Sequence, residues 1–520
     1  MPIRSPVGFM TLAALLLAAP PGAVAQQGQA PGASAGRPGN FCVGAPALPV
    51  LAAEPAWRGD KQQGRGDGRI PPDRHATSEM AMAAPPPPPP PPPAPPPPLP
   101  PPPNAAPSDG GARTEGIVPG SSADYAAAPA ERGRIAPSPP TSPSRPGPAP
   151  QAGVLTAGEH DDLLNPELYA RYVRTSNLGQ SIPDLPTLDT RAVLTVEVKD
   201  ASGRPMPFAR VRLTCSDGNS LSVPTLADGR AVFFPGIDRL SPTVQVSASM
   251  GDHVLGSART VQIVSDAGGQ LVTITGDVAA QAPRKLDLML VVDTTGSMSD
   301  ELRFLQAELQ SVIASLVRRH SELDVRVGFV FYRDEGDDYV THTVGFDGRM
   351  ERAQGALARQ YATGGGDYPE AMDQAMIRAV GQQWRGDAVK SLLLVADAPP
   401  HDDKVARTWD AARVARGKRI QITPVAASGV ADTAEYAMRA MAALTQSRYL
   451  FLTDDSGVGN PHAPPAIDCY LVTRLDALLR RVIDSQISGR RIEPDQGEVI
   501  RTVGDYDNGR CVLPRDFAEN

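Results

Sequence analysis

The sequence predicts an α/β protein built on a doubly wound, mostly parallel sheet, preceded by a small all-β sandwich and a long disordered proline-rich region. Three observations lead there. From Lys285 onward, near-continuous apolar runs such as LDLMLVVD (Leu286–Asp293) and SLLLVAD (Ser391–Asp397) alternate with amphipathic helical stripes, the pattern of strands covered on both faces. Before them, from about Arg191 to Val278, apolar and polar residues alternate one by one, as in a half-buried strand. Ahead of both, periodicity vanishes into Pro, Ala, Gly and Ser.

Residues 1–25 carry Arg4, the apolar run VGFMTLAALLLAA and then AVA before Gln26. A basic start, a short apolar segment and small residues are the order of a cleaved secretory leader. Export to the periplasm, the medium or the cell surface is therefore expected, with no membrane-spanning segment in the mature chain. Residues 26–153 read as linker: 56 of the 520 residues are proline, and Pro85–Pro103 is almost pure proline, broken by Ala94 and Leu99. That run predicts a polyproline II rod about 60 Å long, a stiff spacer or else a ligand for an aromatic groove. The RGD at Arg65–Asp67 is a tripeptide that arises readily by chance in such a segment. Residues 154–188 are expected to form a short helical entry, with Asn165 as N-cap and Pro166 at the first helical position. His160, Asp161 and Asp162 read there as a solvated turn rather than as metal ligands.

In residues 189–280, Leu194, Val196 and Val198 alternate with Thr195, Glu197 and Lys199, and Val211, Leu213 and Cys215 with Arg210, Arg212 and Thr214. Turn residues in DASG and ADG separate the runs, which predicts an antiparallel sandwich. The order VKDASGRPMPFARVRLTC followed by LADGRAVFF resembles the carboxypeptidase-regulatory-like, transthyretin-like sandwich modules. That resemblance implies a spacer or binding accessory without catalytic residues.

The region 284–489 concentrates its chemistry at the carboxyl ends of its strands, where ligands of open α/β sheets bind. Asp293 ends one strand. Thr295 and Ser297 follow at two-residue spacing, before a helical stripe through Leu302, Leu305, Leu309, Val312 and Leu316, so three oxygens can converge. Asp397 ends another strand in the same way. Between them, ATGGGDYPEAMDQAM sets Gly364–Gly366 ahead of Asp367, leaving Thr363 or Asp367 free to point inward. Oxygen donors of this kind suit Mg2+, with Mn2+ or Ca2+ as alternatives. Capping of the following helix by Ser297 or Ser299 is the competing role, and capping by Ser299 leaves Thr295 and Ser297 free.

Asp-x-Thr-x-Ser, then Gly-Gly-Gly-Asp-x-Pro-Glu, then a strand-terminal Asp, on an alternating α/β pattern, resembles the von Willebrand factor A domain with its metal-ion-dependent adhesion site. The resemblance covers roughly Lys285–Gly489. It implies a non-enzymatic interaction or adhesion domain in which Asp293, Thr295, Ser297 and Asp397 hold a divalent cation and the middle loop contributes Asp367 or Thr363. It also implies a protein partner that offers an exposed Asp or Glu to the ion. Asp367 in place of the family's threonine adds a negative charge, which weakens the preference for an acidic ligand. The segments DAPPH and FYRDEGDDYV resemble a subgroup found in exported, bacterial-type multidomain proteins.

Other readings remain beside this one. A metal-independent assembly scaffold would use the same fold, and a metal-assisted hydrolase would use the ion as Lewis acid, although no nucleophile–base pair accompanies it. DTTGS is similar to the DTGS of aspartic proteases, but the extra threonine and the lack of a second such motif count against that chemistry. The acidic run Asp334–Asp338 reads as a turn, with a second cation site as the alternative. His401 reads as a surface residue, and Asp454, Asp455 and His462 as rim or structural residues. The cysteines are Cys42, Cys215, Cys469 and Cys511; Cys469 with Cys511 is the candidate disulfide, and Cys215 is expected as a buried thiol. Residues 490–520 form a tail. A net charge of −8 with both signs interspersed, and 5% aromatics, excludes a nucleic-acid groove.

Overall fold

The computed structural model describes residues 40–55, 150–176, 178, 182, 185, 187–264 and 268–513. The expected leader, the proline run and the RGD tripeptide lie outside the described residues. In chain order, strand β1 (Thr156–His160) and helix α1 (Pro166–Thr175) come first. Then follow β2 (Leu194–Asp200), β3 (Arg210–Cys215), β4 (Ser220–Pro224), β5 (Arg230–Phe233), β6 (Thr243–Met250), β7 (His253–Gln262) and β8 (Gln270–Gly276). These form two sheets, β5-β2-β8 and β4-β3-β6-β7. The alternating residues Val196, Phe233 and Ile274 of one sheet and Val211, Val246 and Leu255 of the other belong to one buried cluster.

The main sheet is built from β9 (Lys285–Asp293), β10 (Asp324–Tyr332), β11 (Thr341–Asp347), β12 (Val389–Ala396), β13 (Ile420–Ala426), β14 (Tyr449–Thr453), β15 (Tyr470–Arg474) and β16 (Arg501–Val503), together with β1. Its order is β11-β10-β9-β12-β13-β14-β1-β15-β16. The run from β10 to β14 is parallel and β11 is an antiparallel edge. Both faces are covered. Leu288, Leu290 and Val292 of β9 pack with helices α2 (Leu302–Arg319), α3 (Met350–Ala358) and α7 (Leu475–Ser488). Met289 and Val291 pack with α4 (Met372–Gly381), α5 (Val405–Gly417) and α6 (Asp432–Leu444). Each such fully buried aliphatic side chain contributes about 1.5–3 kcal/mol, which fixes the strand ends that carry the polar residues.

The structure departs from the sequence expectation at both ends of this region. Residues 156–160, expected within a helical entry, form β1, which wedges antiparallel between β14 and β15. A β-carbon at Gly158 would lie 2.4 Å from the Phe451 ring and 3.0 Å from Tyr470, so only glycine fits between these strands. His160 and Asp162 are buried rather than solvated, and Asp162 Oδ1 pairs with Arg439 at 2.7 Å. Asn165 sits at the N-cap but makes no capping bond. Its side chain instead donates to Gly509 O (2.8 Å) and accepts from the Cys511 N–H (2.8 Å), tying down the C-terminal hairpin. Residues 501–503, expected within a tail, form β16 and pair with β15, which precedes the helix starting at Leu475.

Cys469 and Cys511 are disulfide-bonded. Cys215 is not a thiol: it is bonded to Cys42, closing a span of 173 residues. From Cys42 the chain runs as a strap across the helices. Arg413 donates to Gly44 O and Arg378 to Ala52 O, and Thr343 of β11 donates its N–H and hydroxyl to Glu54 at 2.9 and 2.6 Å.

Candidate functional site

The apolar run of β9 ends at Asp293, whose carboxyl group is fully buried at the carboxyl edge of the sheet. The Thr295 N–H and hydroxyl both donate to Asp293 Oδ1, at 2.9 and 2.7 Å, and Thr295 Oγ1 lies 3.1 Å from Ser297 Oγ. Ser297 is exposed, so this chain of oxygens leads from the core to the surface. Residues Gly296–Asp300 form a 3-10 turn, and α2 begins at Leu302 with no side-chain cap, so neither Ser297 nor Ser299 caps the helix. Asp397, following β12, is buried, and Ser297 is near enough to favour its ionised form. Asp293, Thr295, Ser297 and Asp397 are thus brought together.

The glycine loop closes over this set. Gly364 and Gly365 have φ of +81° and +71°, a region that favours glycine. The Gly296 N–H donates to Gly364 O, and the Gly365 N–H to Asp337 Oδ2 at 2.8 Å. A β-carbon on Gly365 would lie 2.8 Å from Glu370 Oε1 and 3.3 Å from Thr295 Cβ, so the loop and the Asp293 turn meet at backbone distance. Asp367 is exposed at the loop tip, where its charge acts on His401. Thr363 is half-buried, and its N–H donates to Thr294 O.

The buried acid of this loop is Glu370, the last residue of the glycine-rich motif and one for which the motif alone predicts no role. Its N–H donates to Pro399 O, a bridge that fastens the glycine loop to the segment following Asp397. The Gly-Gly-Gly-Asp-x-Pro-Glu string contains the signal: an acid immediately before an apolar helix start.

Asp293 Oδ2, Asp397 Oδ1 and Glu370 Oε2 are buried oxygens without a hydrogen-bond partner. Buried acceptors left unpaired are costly, and the protonation equilibria respond. Burial raises Asp293 to about 6, against the pull of the Thr295 donors and with the charge of Asp334 adding to the rise. Asp397 is raised to about 7 by burial and then by Asp293. Glu370 is raised to about 9 by burial and by the charges of Asp293, Asp334 and Asp397.

Around the rim, His401 Nε2 lies 2.8 Å from Asp334 Oδ1. Burial disfavours its proton, but the Asp334 hydrogen bond and charge prevail and raise its pKa. His462 bridges the buried Glu301 (2.7 Å) and Asp454 (2.8 Å), pinning the loop after β14 to the start of α2. Tyr368 joins the glycine loop to the loop after β13: its hydroxyl donates to Gly429 O at 2.9 Å and accepts from the Ala431 N–H at 2.8 Å.

Among the described residues no group of three or more His, Cys, Asp or Glu converges as a metal cage. The donor set that converges here is of another kind, carboxylates interleaved with hydroxyls. Its unpartnered anionic oxygens beside neutral ones have the chemistry of a hard divalent cation's ligands. Among the described residues no helix is long and apolar enough to cross a membrane.

The sequence profile of the von Willebrand factor A domain matches residues 287–460, the part of the chain that carries β9 to β14 and the polar set just described. With the mostly parallel sheet, this supports a von Willebrand factor A domain in that region, a domain type associated with protein interaction or adhesion. Among curated proteins, the chain is 28% identical over 124 residues to the alpha-protein kinase vwkA of Dictyostelium discoideum. It is 32% identical over 125 residues to the ariadne-like RING finger protein R811 of Acanthamoeba polyphaga mimivirus. Each stretch is 24% of this chain and spans only 20% and 12%, respectively, of those relatives. A solved structure of the conserved hypothetical protein BatB from Bacteroides thetaiotaomicron aligns at 11% identity with a TM-score of 0.28, covering 39% of this chain and 98% of that one.

Proposed function

We propose that the chain is an exported, non-enzymatic adhesion or interaction protein whose von Willebrand factor A region binds a partner through a divalent cation. Mg2+ is the first choice, with Mn2+ or Ca2+ as alternatives. The observation that carries the reading is the pair of buried, unpartnered oxygens, Asp293 Oδ2 and Asp397 Oδ1, beside the linked Thr295 and Ser297 hydroxyls. Asp293 and Asp397 would hold the ion, with Thr295 and Ser297 supplying neutral oxygens. When bound, the ion supplies Lewis acidity toward a partner's carboxylate.

The residues of the chain do the rest. Thr295 orients Asp293 through its two donated hydrogen bonds, and Ser297 carries the oxygen chain to the surface. Glu370 adds a carboxyl group beside the set and Asp367 an exposed charge at the rim. Glu370, raised to about 9, stays protonated near neutral pH, whereas Asp367 makes the local field more negative and weakens the preference for a strongly acidic partner. Two disulfides are in keeping with an oxidising compartment and so support export.

The test is thermal unfolding of the full chain against Mg2+ and Mn2+, with EDTA as the blank. It is followed by Mn2+-dependent binding of an Asp-containing peptide and its Asn counterpart. The midpoint is expected to rise with ion concentration, by about 2.7 kcal/mol of stabilisation at a hundredfold excess over Kd. The rise should vanish in Asp397→Asn, and the Asp peptide alone should bind. No shift at millimolar ion would overturn the reading and leave the metal-independent scaffold.

A further inference from the structure

Where the two-sheet module meets the amino end of the main sheet there is a cavity of about 520 Å3, at the opposite end of β9 from the polar set at Asp293. That volume lies within the usual range of small-molecule sites, roughly 300–1,000 Å3. Its walls are apolar and adaptable: Met206, Phe208, Met250, Val278 and Ala279. The charges at its rim are unequal. His253 is paired with Asp277 at 2.7 Å and Lys285 with Asp387 at 2.7 Å, whereas Arg284 forms no ion pair among the described residues.

The wall itself is backed by positive charge. The Arg419 guanidinium stacks on the Phe208 ring, 4.1 Å from its centroid. Arg419 is 5% exposed, its Nε has no hydrogen-bond partner, and the one described hydrogen bond of its guanidinium runs from NH2 to Gly386 O. Lys390, also buried, donates to Lys418 O, and neither lysine has a carboxylate partner among the described residues. Burial and then the neighbouring Arg419 hold the Lys390 ammonium down to about 8, with Asp287 and Asp387 opposing. Phe208 and Arg419, the stacked pair, also have φ of +70° and +62°. Non-glycine residues held in this region are strained, and strain of this kind concentrates at functional sites.

We propose that this junction cavity binds a free monoanionic amphiphile, a medium-chain carboxylate whose alkyl body lies against Met206, Phe208, Met250 and Val278 and whose head pairs with Arg284. The apolar wall selects the body, and the surplus of cations over acids selects the sign of the head group. An uncharged chain would lose the charge-assisted pair, and a cationic one would meet Arg284, Lys285 and Arg419 while the rim acids Asp277 and Asp387 are already paired.

The test uses the full chain in isothermal titration calorimetry with sodium decanoate, decanol and decyltrimethylammonium, all below their micelle concentrations. Decanoate is expected to bind saturably at one per chain, with Arg284→Gln weakening it at least about tenfold through loss of the charged pair. Ala279→Trp, at an exposed position of the wall, should fill the cavity and abolish binding while the melting curve stays unchanged. Phosphatidylglycerol vesicles serve as the control for a lipid surface. The proposal is overturned if decanoate does not saturate, if the three head groups bind alike, if both variants bind as the parent does, or if only vesicles are captured.

Discussion

Two groups of buried carboxylates belong to the same sheet system and are treated in opposite ways. Beside β1, Asp162 accepts from Arg439 at 2.7 and 3.1 Å, and Glu159 accepts from Arg448 at 2.6 Å with Arg481 and Arg491 3.6 Å away. Burial opposes ionisation there, but Arg439 outweighs it and brings Asp162 down to about 2; Glu159 is lowered in the same way by its arginines. At the carboxyl edge, Asp293, Asp397 and Glu370 have no Lys or Arg partner among the described residues, and all three are raised. The lesson is that burial alone does not set the charge state of an acid. What separates the two groups is whether the fold supplies the counter-charge or leaves the acids without one among the described residues.

The largest effect is expected where the counter-charge is internal. Arg439→Met leaves Asp162 and Glu435 buried without their partner, and should lower stability by about 3–5 kcal/mol in urea unfolding. A loss below about 1 kcal/mol would make the two groups alike.

The next effect is the pH dependence in EDTA, and here the two groups differ in sign. For Asp293, Asp397 and Glu370 the folded pKa lies above the unfolded one, so between about 4 and 9 the native state binds more protons. Their contribution therefore favours folding at low pH, and stability should fall as pH rises from about 5 to 8. For Asp162 the folded pKa is lowered, so its contribution is present above the ordinary carboxylate range and is lost as pH falls toward about 2. Denaturant midpoints that rise from pH 5 to 8 in EDTA would contradict this assignment.

Smaller, and of opposite sign to Arg439→Met, is Asp293→Asn. The amide oxygen can still accept from Thr295 while the buried charge is gone, so stability in EDTA at pH 7.5 should increase by about 1–2 kcal/mol. Any response to Mn2+ should disappear in the same variant. Gly365→Ala is expected to be smallest, a loss of about 1 kcal/mol from its positive φ. Because the added methyl would press on Glu370 Oε1 and Thr295, it should weaken Mn2+ binding more than it lowers the melting midpoint.

Much of the carboxyl edge was legible in the sequence because its signals are local. Asp293 and Asp397 each close a continuous apolar run, and the spacing of Thr295 and Ser297 is that of one turn. Glu370 was harder, since its burial depends on the conformation of Gly364 and Gly365 and on the bond to Pro399. β1 was not legible at all: TAGEH has no apolar alternation, and its partners lie some three hundred residues further on, at Tyr449–Thr453 and Val472–Arg474. The Cys42–Cys215 bond likewise joins a segment without periodicity to a strand, so pairing could not be read from spacing. The arginine-locked acids follow from that long-range topology and were invisible for the same reason.

The most direct measurement is isothermal titration of Mn2+ into the full chain at pH 6.5, in two buffers of different ionisation enthalpy, so that proton release is read together with stoichiometry. A cation that replaces protons on raised carboxyl groups should bind at one ion per chain and release protons, because metal ligands must be deprotonated. The release should fall in Asp293→Asn and stay unchanged in an exposed control, Asp338→Asn. Absence of binding, or binding without proton release that survives Asp293→Asn, would contradict a cation-receptive site built on the buried, unpartnered acids of the carboxyl edge.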